Sequence, residues 1–206
     1  MTIQSVLKSV AVAVLVTLVA APVYAQGNAA AGQGKITVCL ACHGQGGNDS
    51  LLPNVPKIGG QGEKYLLKQL HEFKDGVRVA PLMTGMLIAL NDQDLADVAA
   101  WYSSQPAPVG AVEPDKRALG EAIFKAGIAD IGVAACSACH APDGKGIDTA
   151  GYPALSGQDP AYSEIQLKAF RAGERMNDDA EVMRTIAARL KDTEIAALAS
   201  YLSGLR

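Results

Sequence analysis

The sequence predicts an all-α protein made of two tandem helical domains. Three observations carry that expectation: the chain repeats itself, apolar residues recur at helical spacing within each copy, and no stretch alternates as a half-buried strand does. A shift of 97 residues carries Pro56 onto Pro153, Gly60-Gln61 onto Gly157-Gln158 and Tyr65 onto Tyr162. It also carries Gln69-Leu70 onto Gln166-Leu167, Phe73 onto Phe170 and Gly76 onto Gly173. Beyond that glycine the register becomes 100, matching Leu90, Asp92, Ala99 and Trp101 to Leu190, Asp192, Ala199 and Tyr201. The second copy therefore holds three extra residues between Gly173 and Met183.

Residues 1–25 read as an export signal. Lys8 precedes an apolar run from Val10 to Ala21 broken only by Thr17, and Val23-Tyr24-Ala25 supplies a small-residue cleavage context, with a mature start at Gln26. The run falls short of the roughly 20 residues that span a bilayer, and Pro22 ends it. Residues 26–104 form the expected first domain. A short helix is expected over 29–38, and residues 63–75 put Leu66, Leu67, Leu70 and Phe73 on one arc with Lys64, Lys68, Glu72 and Asp75 opposite. Residues 92–104 begin acidic, as the positive end of a helix favours, and bury Leu95, Val98, Ala99 and Tyr102. Residues 105–113 form an extended linker rich in proline and glycine. The second domain, 114–206, repeats the plan with helices at 114–126, 161–172 and 192–203.

Two pentapeptides supply the chemistry. Cys39-Leu40-Ala41-Cys42-His43 and Cys136-Ser137-Ala138-Cys139-His140 are both C-x-x-C-H runs, in register with the repeat. Cysteines at i and i+3 share one helical face, where they form thioethers to the two vinyl groups of one porphyrin, and the adjacent histidine reaches its iron. A structural zinc, a redox dithiol or plain disulfides would also use paired cysteines, but none requires a histidine directly after the second cysteine, twice. The chain is therefore expected to carry two covalently bound haem c groups. Haem also supplies apolar volume that domains this small lack, in a chain only 5% aromatic. Trp101 and Tyr201 read as core aromatics.

The iron's second axial ligand decides between a carrier and a catalyst. The one remaining histidine, His71, lies off the apolar arc and reads as a surface residue, and two bis-histidine haems are impossible. Methionine sulfur is the alternative, and it raises the reduction potential. The downstream register pairs Met83 with Met183, each 18 positions before Trp101 or Tyr201. The upstream register would pair Met86 with Met183, so the choice turns on where the insertion falls; Met176 lies within the inserted stretch. Pro56 and Pro153 stand where a backbone carbonyl could accept the Nδ1–H of each proximal histidine, although simple loop rigidity explains a proline equally well.

The segment from Pro53 through Pro56-Lys57-Ile58-Gly59-Gly60-Gln61 and Tyr65-Leu66 to Gln69-Leu70 resembles the cytochrome c4 family. So do Met83-Thr84-Gly85-Met86 with the helix from Leu90, and Cys139-His140-Ala141-Pro142-Asp143-Gly144 with Met183-Arg184. The resemblance implies two class I cytochrome c domains related by a pseudo-twofold, with haem propionates close together. It also implies His/Met ligation, carried here by His43 with Met83 and His140 with Met183. The implied activity is periplasmic electron transfer between respiratory partner proteins, commonly towards a terminal oxidase, with possible peripheral membrane association.

Charge agrees with a soluble carrier. Lys8 is the only charged residue before Gln26, which leaves 17 basic against 21 acidic side chains and excludes nucleic acid as an obvious partner. Two other functions use the same sites. One is the haem subunit of a larger dehydrogenase such as a sulfide-oxidising flavocytochrome. The other is a di-haem peroxidase, which needs a distal acid–base group that only His71 offers, from the wrong helix face.

Overall fold

The computed structural model describes residues 26–50 and 52–206; the expected export segment, 1–25, lies outside them. Among the described residues the regular structure is helical, with two isolated antiparallel bridges, Ile128 to Val133 and Ile147 to Tyr152, and no strand.

The first domain consists of α1 (Ala29–Gln33), α2 (Thr37–His43), α3 (Glu63–Lys74), α4 (Pro81–Leu87) and α5 (Asp92–Ser103). Local chemistry fixes the starts. Asn28 Oδ1 accepts from Ala31 N, Pro81 opens α4 where no N–H is missed, and Asn91 forms a capping box with Asp94. The single helix expected over 29–38 is instead broken between α1 and α2. Two glycines, Gly32 and Gly34, weaken it there, and Ile36 turns inward to 4% exposure. Ile36, Leu66, Val98, Ala99 and Tyr102 form the core, with Cys39, Leu40 and Trp101 packed on its edge.

The second domain repeats this with α6 (Pro114–Ala126), α7 (Ser137–His140), α8 (Pro160–Ala172), α9 (Val182–Ala187) and α10 (Asp192–Gly204). Its core joins Ile123 and Phe124 to Ile195, Leu198 and Tyr201, with the Phe124 and Tyr201 rings 5.6 Å apart. In both domains the first and last helices cross at a glycine. A Cβ on Gly32 would lie 2.0 Å from the Asp97 carbonyl oxygen, and one on Gly120 would lie 2.3 Å from that of Ala197. Gly32 precedes its motif by seven residues and Gly120 by sixteen, so nine extra residues separate crossing from motif in the second copy. They form the turn closed by the Ile128 to Val133 bridge.

The segment 105–113 is non-helical, as expected, yet it is docked along its length. Pro106 O accepts from Asn48 Nδ2 at 2.7 Å, and Glu113 N donates to Ser200 Oγ at 2.9 Å. Ala107 and Pro108 press on Gly60 (φ 71°) and Gly157 (φ 75°), where a Cβ would be both strained and blocked.

The polar face of α3 meets the other domain. Lys64 N donates to Asp148 Oδ1 at 2.9 Å and Lys68 Nζ to Asn177 O at 2.8 Å. At the centre two buried guanidiniums exchange partners. Arg78 stacks 4.6 Å over Phe73 of its own domain and donates to Tyr162 OH (2.9 Å) and Gln166 Oε1 (2.8 Å) of the other. Arg175 stacks 4.4 Å over Phe170 and donates to Tyr65 OH (3.0 Å) and Gln69 Oε1 (3.2 Å). Their equivalence extends the 97-residue register to Arg175. The three extra residues thus fall between Arg175 and Met183, on the turn where Ala180 and Glu181 have φ of 51° and 58°.

Candidate haem sites

Each C-x-x-C-H run sits on one helical turn. Cys39, Cys42 and His43 lie on α2; Cys136 is the cap of α7, which carries Cys139 and His140. The chain leaves each helix with positive φ directly after the histidine, at Gly44 (73°) and Ala141 (65°). At Gly44 a Cβ would come 2.7 Å from the Asp49 carbonyl oxygen, so glycine is required; Ala141 tolerates the same turn in the second copy.

No disulfide joins any of the four cysteines. In the chain without haem, burial would push the Cys39 thiol up and the Cys136 thiol to about 11, the opposite of an activated dithiol. The two pairs stay apart, and no three His, Cys, Asp or Glu side chains converge among the described residues, which removes a shared four-thiolate zinc site.

The histidines are buried, 6% exposed at His43 and 7% at His140, and burial holds both imidazoles below their usual pKa and hence neutral. His43 Nδ1 donates to Pro56 O at 3.0 Å, and His140 Nδ1 to Pro153 O at 2.9 Å. The prolines therefore present an acceptor as well as stiffening their loops. With Nδ1 so held, the ring orientation is fixed and Nε2 is the nitrogen left for iron.

The methionines separate by exposure and by equivalence. Met83 on α4 and Met183 on α9 are both half-buried, four residues before the buried Leu87 and Ala187. Met86 is 43% exposed and Met176 62%. His71 is half-buried, with its Nδ1 3.9 Å from Asp92 Oδ1 at the start of α5.

The residues present fit haem on two further observations. The buried Trp101 indole Nε1 has no acceptor, although its ring packs on the same core cluster as Cys39. An unsatisfied buried donor there suits a haem carboxylate. The interface centre likewise holds two buried guanidiniums, Arg78 and Arg175, with the Glu72 carboxylate bonded to Asn177 nearby, an environment rich in cations that suits acidic haem edges. Sequence reasoning missed these arginines, although their offset of 97 residues was a usable signal.

Comparison with known proteins gives one answer. The sequence profile of the family described as cytochrome c matches residues 29–105 and again 118–206. Cytochrome c4 of Pseudomonas aeruginosa is 53% identical over 183 residues, covering 88% of this chain and 90% of that one. The crystal structure of reduced recombinant cytochrome c4 from Pseudomonas stutzeri matches with a TM-score of 0.85 at 50% identity, over 87% of this chain and all of that one. A more distant relative, a thiosulfate dehydrogenase electron acceptor from Thiomonas intermedia, is 36% identical over 80% of this chain and 77% of its own length. Two haem c groups, one fitting Cys39 and Cys42 and the other Cys136 and Cys139, complete the likeness, and the chain belongs to the cytochrome c4 family of di-haem electron carriers.

Proposed function

We propose that this carrier works in the periplasm, shuttling electrons between respiratory partner proteins, towards a terminal oxidase, with His43 and Met83 ligating one iron and His140 and Met183 the other. The observation that carries the reading is the mirrored pair of His–Pro hydrogen bonds, which fixes the imidazole orientation at each C-x-x-C-H turn. The shared positions of Met83 and Met183 ahead of Leu87 and Ala187, against the exposure of Met86 and Met176, support the methionine assignment. The export pattern of residues 1–25 supports the compartment, with cleavage after Ala25 and domains at 26–104 and 114–206. Among the described residues no helix is long and apolar enough to cross a membrane.

The bound groups supply one-electron exchange between ferric and ferrous iron; the chain sets where and how readily it occurs. Cys39, Cys42, Cys136 and Cys139 tether the groups, and the Pro56 and Pro153 carbonyls tune the histidines. Met83 and Met183 would hold the irons through sulfur, a ligand that would favour the ferrous state and would leave small molecules little access. The docked 105–113 segment and the Arg78–Arg175 exchange hold the two sites in a fixed relation, so an electron can enter by one domain and leave by the other.

The test is an optical redox titration of the purified holoprotein. Two one-electron steps, both with the methionine–iron charge-transfer band in the oxidised state, support the reading; loss of that band from either haem contradicts it. A second reading, the electron-accepting partner of a dehydrogenase, is favoured by the likeness to the thiosulfate dehydrogenase electron acceptor. Co-elution with a dehydrogenase chain from host extracts distinguishes it from a freely diffusing shuttle.

A further inference from the structure

We propose that Gln61 and Gln158 each tune the reduction potential of the haem in the opposite domain, through the one peptide unit that also holds that domain's proximal histidine. Gln61, in the first domain, lays its side-chain amide along the backbone of Ala154 in the second. Its Oε1 accepts from Ala154 N at 2.7 Å and its Nε2 donates to Ala154 O at 2.9 Å. Gln158 does the same to Lys57 of the first domain, accepting from Lys57 N at 2.9 Å and donating to Lys57 O at 2.8 Å.

The Ala154 N–H belongs to the peptide unit whose carbonyl is that of Pro153, the acceptor of His140 Nδ1–H at 2.9 Å. The Lys57 N–H belongs to the unit whose carbonyl, Pro56, accepts from His43 Nδ1–H at 3.0 Å. Each glutamine oxygen is thus joined to the opposite domain's histidine by two hydrogen bonds across a single conjugated amide. Both glutamines are buried at 8% exposure. Each Oε1 also accepts a second backbone N–H, from Gly62 or Asp159, both at 2.9 Å, which settles which end of the amide is oxygen.

A peptide whose N–H is engaged by a good acceptor carries more negative charge on its carbonyl oxygen, and hydrogen bonds in such a chain strengthen one another. The Pro153 carbonyl therefore draws harder on His140 Nδ1–H, giving the ring more imidazolate character and a richer lone pair at Nε2. A more electron-rich ligand favours ferric over ferrous iron. Each glutamine accordingly lowers the potential of the haem it does not share a domain with. A glutamine acting only as a staple between domains would find the same two hydrogen bonds at any accessible residue; both copies use the residue whose N–H shares a peptide unit with the histidine's acceptor.

The proposal rests on His43 and His140 ligating iron, and its test separates the two ideas. Gln61→Met keeps length and removes the acceptor. In the holoprotein it should raise the potential of the haem on Cys136 and Cys139, changing its ferrous-to-ferric ratio at fixed poise roughly twofold to fivefold. The haem on Cys39 and Cys42 should move less, and Gln158→Met should reverse the pattern. Paramagnetic NMR assigns each potential to its domain and reports the exchange of the His140 Nδ1–H, which should quicken in Gln61→Met. Gln61→Glu, which keeps an acceptor oxygen and gives it more charge, should shift the same haem the other way and serves if the methionine variant separates the domains. A larger change in the haem of the mutated residue's own domain, equal changes in both, a fall in potential for Gln61→Met, or no change would overturn the proposal. If the unaltered protein's spectra lack histidine ligation at either iron, the ligand assignment itself fails instead.

Discussion

Asp97→Asn should destabilise the first domain by roughly 2 kcal/mol at neutral pH, and the loss should vanish in acid. Asp97 sits on α5 beneath the crossing with α1, where Oδ2 meets Lys35 Nζ at 2.7 Å and Oδ1 accepts from Asn28 N at 2.9 Å and Gln93 Nε2 at 2.8 Å. The Lys35 ammonium first, then the Asn28 amide and Gln93, hold its carboxyl at a pKa of about 2 against an ordinary 3.8. A carboxylate held that low contributes about 2 kcal/mol wherever the unfolded chain is also ionised. The stability is present in full above about pH 4 and is lost as pH falls towards 2. Asparagine keeps the shape and loses the charge, while Lys35 retains Asp94 at 2.5 Å. For a domain of this size the effect is a fall in Tm of about 10 °C. The second domain is the internal control, because Ala197 stands at the equivalent place on α10 and Ser200 Oγ anchors Glu113 N instead. Thermal unfolding of the holoprotein and the variant, followed by circular dichroism between pH 7 and pH 2.5, checks this. A gap between the two proteins that stays constant across that range, or that appears equally in both domains, would refute the reasoning.

The remaining expectations concern the haems. Denatured protein should retain haem through acid–acetone extraction, with a mass of two haems above the chain starting at Gln26; one haem or none on mass spectrometry would contradict the double attachment. Met83→His and Met183→His should each lower the potential of one haem and remove half of the methionine–iron charge-transfer absorption, whereas Met86→His should do neither, as redox titration will show. The reduced protein should bind carbon monoxide poorly at neutral pH because sulfur must first be displaced, and rapid stoichiometric binding at one haem would favour a catalytic site over a carrier.

What the sequence disclosed was what repeats at a constant offset. Cys39 and Cys136, and Pro56 and Pro153, declare themselves because chemistry fixes their identity and spacing, whereas Met83 and Met183 pair only once the register has moved from 97 to 100. Gly32 and Gly120 do the same work as each other but escaped notice, since nine additional residues after α6 destroy the register before the motif. The hydrophilic side of α3 could not be recognised as an interface: Lys68 and Glu72 look alike whether they face water or Asn177, and periodicity separates apolar from polar, not solvent from partner. Gln61 and Gln158 stood out in the alignment without a reason, because their reason is a peptide on the other domain. The neighbour of His71 was hidden for a related cause, since Asp92 comes beside it only when α3 packs on α5.

The reciprocity of the contacts between the domains has a consequence for assembly. Each half carries both a glutamine that reaches across and a peptide that is reached, and both an arginine and the tyrosine that receives one. This is the pattern of a symmetric homodimer, in which one surface is complementary to itself. Here the two surfaces belong to a single chain, and 105–113 ties them at an effective concentration on the order of millimolar. Dilution cannot part the haems, and the two copies are free to diverge without losing each other. They have begun to: Gln158 grips Lys57 where Gln61 grips Ala154, and Asn177 bonds to Glu72 where the first domain has only Ala80.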